Sequence, residues 1–194
     1  MKTSRKLIML AVAAYGAFQI TAEANISVFL KLEGVDGEST ETGHVGEIDA
    51  VSFKAGVFDP TLTTFAGGGA SRAKFNPITV FKVVDKSSPV LFLACATGKH
   101  FATATLSITR LFNEVPVTFF KIVLSDVIIS SINVEGNEND TGDSLMEPVT
   151  LSYSKIQWSF ISKNSEGTPV TVTGGWDLRL NRPLPNAPVN AAAN

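Results

Sequence analysis

From Ile26 to Leu180 apolar side chains recur mostly at every second position, and a period of two excludes an ordinary helical fold. "ISVFLKLE" sets Ile26, Val28, Leu30 and Leu32 on one face and Ser27, Lys31 and Glu33 on the other, which predicts a strand with one wet face. "EIDAVSFKAGVF" is a second strand candidate, and "NPITVFKVV" resumes the pattern. "ATATLSITRL", "PVTFFKIVLSDVIISSINV", "PVTLSYSKIQWSFIS" and "TPVTVTGGWDLRL" are strand-like as well. In the third of these the parity changes: Val149, Leu151 and Tyr153 are odd-numbered, whereas Ile156, Trp158 and Phe160 are even. A one-residue shift inside a strand predicts a bulge or bend, the usual device for curving a sheet towards closure.

"DKSSPVLFLACATGKHF" is the single convincing helix. Ser88 suits the cap, Pro89 the first helical position, and Gly98 the position just past the end. Leu91, Ala94 and Cys95 share one face, so Cys95 reads as a core residue, not a reactive thiol. Between the periodic segments lie the Gly- and Thr-rich "GVDGESTETGHVG" and the polar acidic "NVEGNENDTGDSL". Residues 59–74, "DPTLTTFAGGGASRAK", have no sustained period and predict a long mobile loop, a feature that is usually functional or disordered in a compact domain. Many strands plus one short helix argue for a closed or nearly closed β-barrel.

The two ends need separate treatment. "MKTSRK" is followed by the apolar run "LIMLAVAAYGAFQI" and then by Ala22 and Ala24 in an A-x-A arrangement. That layout predicts a signal peptide over residues 1–24, cleaved between Ala24 and Asn25. As a membrane anchor the apolar run is short of the ~20 residues that a spanning helix needs. Loss of Lys2, Arg5, Lys6 and Glu23 would take the net charge from -2 to -4. With 44% apolar and 18% charged residues and no basic patch, the chain describes a packed domain and speaks against nucleic acid as a partner. No later stretch approaches spanning length, so no membrane insertion of the mature chain is expected. Cys95 is alone and cannot form an internal disulfide. The expected organisation is therefore a signal peptide over 1–24, a β-barrel domain over 25–181, and a loose Pro-, Asn- and Ala-rich tail over 182–194.

Several motifs suggest catalysis and fail on context. Gly142-Asp143-Ser144-Leu145 matches the nucleophile block of a large lipase and esterase class. Those enzymes carry the serine near the mature N-terminus of an α/β fold and supply Asp and His from a late Asp-x-x-His block. Here Ser144 lies in a loop of the second half, and His44 and His100 both precede it. Gly98-Lys99 follows a helix where a phosphate-binding loop would precede one, and His100 stands where a hydroxyl residue is required. Glu47 and Asp49 share a strand face, but charges on a wet face are ordinary. Two histidines and one cysteine are too scattered for a structural metal site. The reading is of a non-enzyme without cofactor or metal.

Seven stretches resemble the Hcp (haemolysin-coregulated protein) family, the tube-forming subunits of bacterial type VI secretion. They are "FLKLEGVDGEST", "GHVGEIDAVSF", "FKVVDKSSPVLFLACATGKHF", "ATLSITR", "IVLSDVIISSI", "EPVTLSYSKIQW" and "GWDLRLN", in family order over nearly the whole mature chain. The Lys-x-x-Asp-x-Ser-Ser-Pro lead-in and the Glu-Pro-Val-Thr-Leu-Ser-Tyr-Ser-Lys-Ile strand are the most specific of these. The resemblance implies a mainly β fold, a barrel of two sheets with one flanking helix. It also implies a homo-oligomeric ring of six subunits, rings that stack into a tube, and partners among type VI secretion components or effectors. The long loop matches a family loop that reaches towards the neighbouring ring, which makes Thr63, Thr64, Phe65, Gly67, Gly68, Gly69, Ser71 and Arg72 its contact residues. Two departures stand out: tube subunits of the family normally lack a cleavable signal, and the tail beyond Arg182 is unlike them. Two functions follow. One is a secreted tube subunit and effector carrier that is cytoplasmic until secretion. The other is an Hcp-like protein exported through the periplasm as a binding or surface-acting factor.

Overall fold

The computed structural model describes residues 26–60, 72–136 and 145–185. These fold into twelve strands and one helix. The first half comprises β1 (Ile26–Leu32), β2 (Ile48–Ala50), β3 (Ser52–Lys54), β4 (Val57–Phe58), β5 (Lys74–Phe75), β6 (Ile78–Val83) and α1 (Ser88–Thr97). The second comprises β7 (His100–Phe112), β8 (Val115–Ile132), β9 (Met146–Ser152), β10 (Lys155–Lys163), β11 (Pro169–Asp177) and β12 (Arg182–Pro183).

The antiparallel pairings run β1–β7–β8–β9–β6–β3, and β2, continuous in chain with β3, pairs back onto β1. The sheet therefore closes on itself, as the strand pattern predicts. Closure depends on a partner switch at Val51. Ala50 pairs with Val28 of β1, Ser52 pairs with Phe81 of β6, and the Val51 amide donates to the Phe81 carbonyl at 2.8 Å. "EIDAVSFKAGVF" is thus not one strand but three short ones, because a segment that serves two neighbours must break between them.

The parity change expected in "PVTLSYSKIQWSFIS" is an interruption of the strand between β9 and β10, matched across the sheet by a kink in β8 that leaves its register with β7 unchanged. Asp126 takes a left-handed φ of 55°, and β8 changes from Ile122 and Leu124 to Val127 and Ile129 as its core-facing residues. Beyond that level the two halves of β8 serve different partners. Phe120–Ser125 pair with β10, and Ile128–Ile132 pair with β9. The first half carries β10, β11 and β12 away from the barrel as a wing. Of the tail expected to be loose over 182–194, Arg182 and Pro183 pair with Asp177 and Trp176 and the Leu184 amide donates to the Gly175 carbonyl at 3.0 Å, while residues 186–194 lie outside the described residues.

The barrel interior holds Leu30, Ile48, Ile78, Val80, Leu106, Ile122, Leu124 and Leu151, all with no exposed surface. On β1 the expected wet-face residues Ser27 and Lys31, and Glu33 just beyond, are exposed, but Phe29 between them is buried, because the 36–46 loop folds over it and His44 stacks on its ring at 4.2 Å. Gly37 permits that fold-back, since a Cβ there would lie 2.1 Å from the Glu47 carbonyl oxygen.

Two charged residues fall on the buried parity of their strands. Lys82 continues the row Ile78, Val80, and Glu147 begins the row Val149, Leu151; they are direct cross-strand partners, with 0% and 1% of their surface exposed. Lys82 Nζ donates to Glu147 Oε2 at 2.7 Å, to Ser88 Oγ at 3.0 Å, and lies 2.9 Å from Asp85 Oδ1, so all three of its donors are used. Ser88 Oγ in turn donates to Glu147 Oε2 at 2.6 Å and accepts from the Asp85 amide at 3.1 Å. Ser88 is therefore not the helix cap expected from sequence. Ser87 occupies that position and makes no side-chain cap bond, while the Ser88 hydroxyl is spent on the ion pair. Leu91 and Ala94 then bury against the barrel, Cys95 is half-buried beside them, and Gly98 ends the helix in the left-handed region, as its position predicts.

Removal of one partner of this network leaves buried carboxylates without a cation. Lys82→Met is expected to lower unfolding stability by about 3–5 kcal/mol, whereas Lys82→Met with Glu147→Leu regains at least half of that. Urea unfolding of the three proteins checks this, and equal losses in the single and double variants would contradict it. Burial opposes ionisation of Asp85, but hydrogen bonds from Ser87 and Lys82 and the attraction of the Lys82 ammonium outweigh it and hold the carboxyl below its usual range. A depressed carboxyl contributes stability above its unfolded value, ~3.9, and loses it as pH falls through the folded value. Below about pH 4 the urea midpoint should therefore fall more steeply in the wild type than in Asp85→Asn. Parallel curves would remove Asp85 from the acid response.

Candidate functional site

Of the eight loop residues singled out from sequence, Thr63, Thr64, Phe65, Gly67, Gly68, Gly69 and Ser71 lie outside the described residues, and Arg72 is exposed. The base of the loop is described. β4 and β5 form a two-stranded ribbon in which Val57 faces Phe75 and Phe58 faces Lys74. The Asn76 amide donates to the Gly56 carbonyl at 2.9 Å, and the Asn76 carbonyl accepts from Tyr153 Oη at 2.9 Å. Burial pushes the Tyr153 phenol up to about 12, so it stays a donor through the physiological range. The Phe75 ring stacks on Trp176 with centroids 6.3 Å apart. The loop is thus clamped at its root to the break between β9 and β10 and to the wing.

The wing leaves apolar surface open around this root. Val57, Phe75, Trp158, Gly174 and Trp176 line a shallow cavity of about 300 Å³. Val57 and Phe58 are half exposed. Two other places repeat the pattern. On α1 the outward residues are apolar, with Phe92 65% and Leu93 62% exposed. At the end of the β7–β8 hairpin, Asn113 and Glu114 both take positive φ in the turn, and Leu111, Phe112 and Val115 stand out of the barrel more than half exposed. Along β11 the outer edge from Pro169 to Thr173 has no strand partner among the described residues, and Val172 there is 58% exposed. Exposed apolar clusters and open strand edges mark surfaces that another chain covers.

The residues weighed for catalysis are dispersed. Gly142, Asp143 and Ser144 lie outside the described residues. His44 Nδ1 is 2.8 Å from Glu47 Oε2, and Lys31 Nζ is 3.9 Å from Glu47 Oε1, so Glu47 is already engaged and does not form a carboxylate pair with exposed Asp49. His100 Nδ1 is 3.2 Å from Asp126 Oδ1, on the opposite side of the same carboxylate from Arg179. Arg179 is delivered there by the turn after β11, where Asp177 Oδ1 accepts the amides of Leu180 at 2.9 Å and Arg179 at 3.0 Å. The Leu180 amide above all, against burial and with help from Lys155, holds the Asp177 carboxyl below its usual range. These contacts fix the kink in β8 at Asp126 and the root of the wing. Among the described residues no three His, Cys, Asp or Glu side chains gather as metal ligands, and no helix is long and apolar enough to cross a membrane.

Sequence reasoning missed the buried network, although its signal was present: Lys82 and Glu147 are charges on core-parity positions. It also missed the apolar surface of α1, whose Val90, Phe92 and Leu93 read as ordinary helix content until the buried face is known.

The architecture and the motifs have relatives. Residues 29–160 match the family described as "Type VI secretion system effector, Hcp". Protein hcp1 of Pseudomonas aeruginosa is 31% identical over 80% of this chain and 97% of its own length. The "Major exported protein" of the same organism is 24% identical over 82% of this chain and 95% of its own length. The crystal structure of Hcp1 from Salmonella typhimurium superposes with a TM-score of 0.67 at 28% identity, over 82% of this chain and 99% of that one. A solved type six secretion system protein gives a TM-score of 0.74 at 24% identity, over 82% and 100%, and speaks for the fold alone. With a family match across most of the chain and a 31% identical relative covered almost end to end, this chain belongs to the Hcp family of type VI secretion.

Proposed function

We propose that the chain works as a ring-forming subunit of a type VI secretion tube, that it carries effectors, and that it has no enzymatic activity of its own. Family membership supports the tube and carrier role. One observation in this chain supports the assembly: although the barrel closes on itself, apolar residues stay exposed on α1, on the β7–β8 hairpin and along the open edge of β11 in the wing. At about 25 cal/mol per Å², apolar area of that extent favours burial against another copy of the chain. A ring of six and a stack of rings are the assembly we propose, with the 59–74 loop contacting the next ring through Thr63 to Arg72. The clamp at the root of the loop supports this role, because Asn76, Tyr153, Phe75 and Trp176 would fix where the loop leaves the subunit.

A second reading is favoured by the signal-like pattern of residues 1–24: an Hcp-like protein exported through the periplasm. Cytoplasmic tube assembly and cleavage at Ala24 exclude each other. Mass spectrometry of the protein from its native cells, native and denatured, separates the two. The tube reading expects assemblies of six chains that begin at Met1. Monomers beginning at Asn25 would replace it with the exported reading. For the loop, deletion of residues 63–71 is expected to leave folding and ring formation intact and to weaken ring-on-ring stacking in sedimentation. Unchanged stacking would remove the loop from that role.

A further inference from the structure

A cavity of about 470 Å³ lies on the outer face of β1, β7 and β8, beneath the 42–47 loop. Its floor follows from strand parity. Ala104, Leu106 and Ile108 of β7 point into the barrel, so Thr105, Ser107 and Thr109 point out into the cavity, with Thr118 of β8 opposite Thr109.

Two of these hydroxyls are unusual. Ser107 is 6% exposed and Thr109 is 3% exposed, and neither side chain makes a hydrogen bond within the described residues. Every other buried polar or charged side chain has a partner, from Ser39 through the Lys82 network to Ser154 and Asp177. No polar side-chain atom that is sealed from solvent lacks a partner, so these two hydroxyls open only towards the cavity. Hydroxyls without protein partners bond to water or to whatever molecule enters the cavity.

The walls define what enters. Lys31 and Lys121 stand on β1 and β8, and Glu47 supplies a single negative charge that Lys31 already shares at 3.9 Å. Lys121 has no ion pair among the described residues, which leaves the cavity one positive charge in excess. His44 is fixed by its stack on Phe29 and by Glu47 at Nδ1, so its Nε2 is left for another partner. We propose that this cavity binds a small hydroxylated carboxylate of the size of a monosaccharide, a uronic acid in chemical class. The carboxylate pairs with Lys121, and the sugar hydroxyls bond Ser107, Thr109 and His44 Nε2. A bare anion accepts from Lys121 and the floor hydroxyls but offers no donor to His44 Nε2, and a neutral sugar leaves Lys121 unpaired.

Calorimetric titration of the full chain, in the assembly in which it is purified, tests this with glucuronate, glucose and inorganic phosphate as probes. Glucuronate should bind with a Kd in the millimolar range, and glucose and phosphate about tenfold or more weakly. Thr109→Val and Lys121→Ala should each weaken glucuronate about tenfold, the latter with loss of its salt dependence. Thr109→Val removes a hydroxyl that has no protein partner, so its melting temperature should match the wild type and keep the result readable. No heat with glucuronate at ~20 mM, equal affinity for any two of the three probes, or full affinity in both variants would each overturn the proposal. A trigalacturonate probe that binds more tightly than the monosaccharide points to an acidic polysaccharide as source, and equal affinity points to a free sugar acid; both outcomes uphold the site.

Discussion

The ion pair between Lys82 and Glu147 ties the β6–β9 ladder to the segment that leads into the helix. It lies on the core side of the β6–β9 pairing, in a row that is otherwise Ile, Val and Leu. Two buried charges cost several kcal/mol in lost hydration, which their attraction offsets only when every remaining lone pair and proton is also engaged. Ser88 and Asp85 complete that set, and both belong to the segment that leads into α1. The helix is therefore attached to the barrel by a polar contact of fixed geometry as well as by Leu91 and Ala94. Apolar packing alone would let a short helix slide. A hydroxyl that must meet an ammonium and a carboxylate at once sets its register.

A comparable logic governs the bend between barrel and wing. Two neighbouring strands change parity at one level, β8 at Asp126 and its partner segment at Tyr153–Ser154. The Ser154 amide donates to the Ser125 carbonyl at 3.1 Å, so the ladder is carried across the break. Asp126 holds a left-handed backbone, a strained state for a residue with a side chain, and its carboxylate is engaged by His100 and Arg179. One charge thus ties the start of β7 and the turn after β11 to the point where the sheet divides. The wing leaves the barrel at an angle that three segments agree on.

Much of this was legible in the sequence, for reasons that differ by residue. The odd-to-even change from Tyr153 to Ile156 exposed the bend, because a core on one side makes parity an observable. Gly98 marked the helix end, because only a left-handed residue closes that turn without strain. Ser88 misled, because a serine before a proline signals a cap, and nothing local reveals a lysine six residues earlier and a carboxylate 59 residues later that claim its hydroxyl. The split of "EIDAVSFKAGVF" at Val51 was hidden for a similar reason. Its cause is the position of β1 and β6 on either side, and that is a property of the closed sheet.

The surfaces that matter for assembly were the least legible, and the barrel explains why. Closure determines which parity faces inward, so an apolar residue on the inward parity is a prediction of burial. On the outward parity the same residue carries no instruction until its neighbours are known. Phe29 and Val172 are both outward and apolar, yet a loop covers the first and leaves it 3% exposed, while the second remains 58% exposed on an open edge. Ser107 and Val172 show the complementary case: a polar residue buried towards a cavity and an apolar one left in water, both opposite to what their chemistry favours. A stable barrel gains nothing from either placement. Water reaches the first through the cavity, and the second lies on an open strand edge, so both leave the outer face able to take up a further molecule.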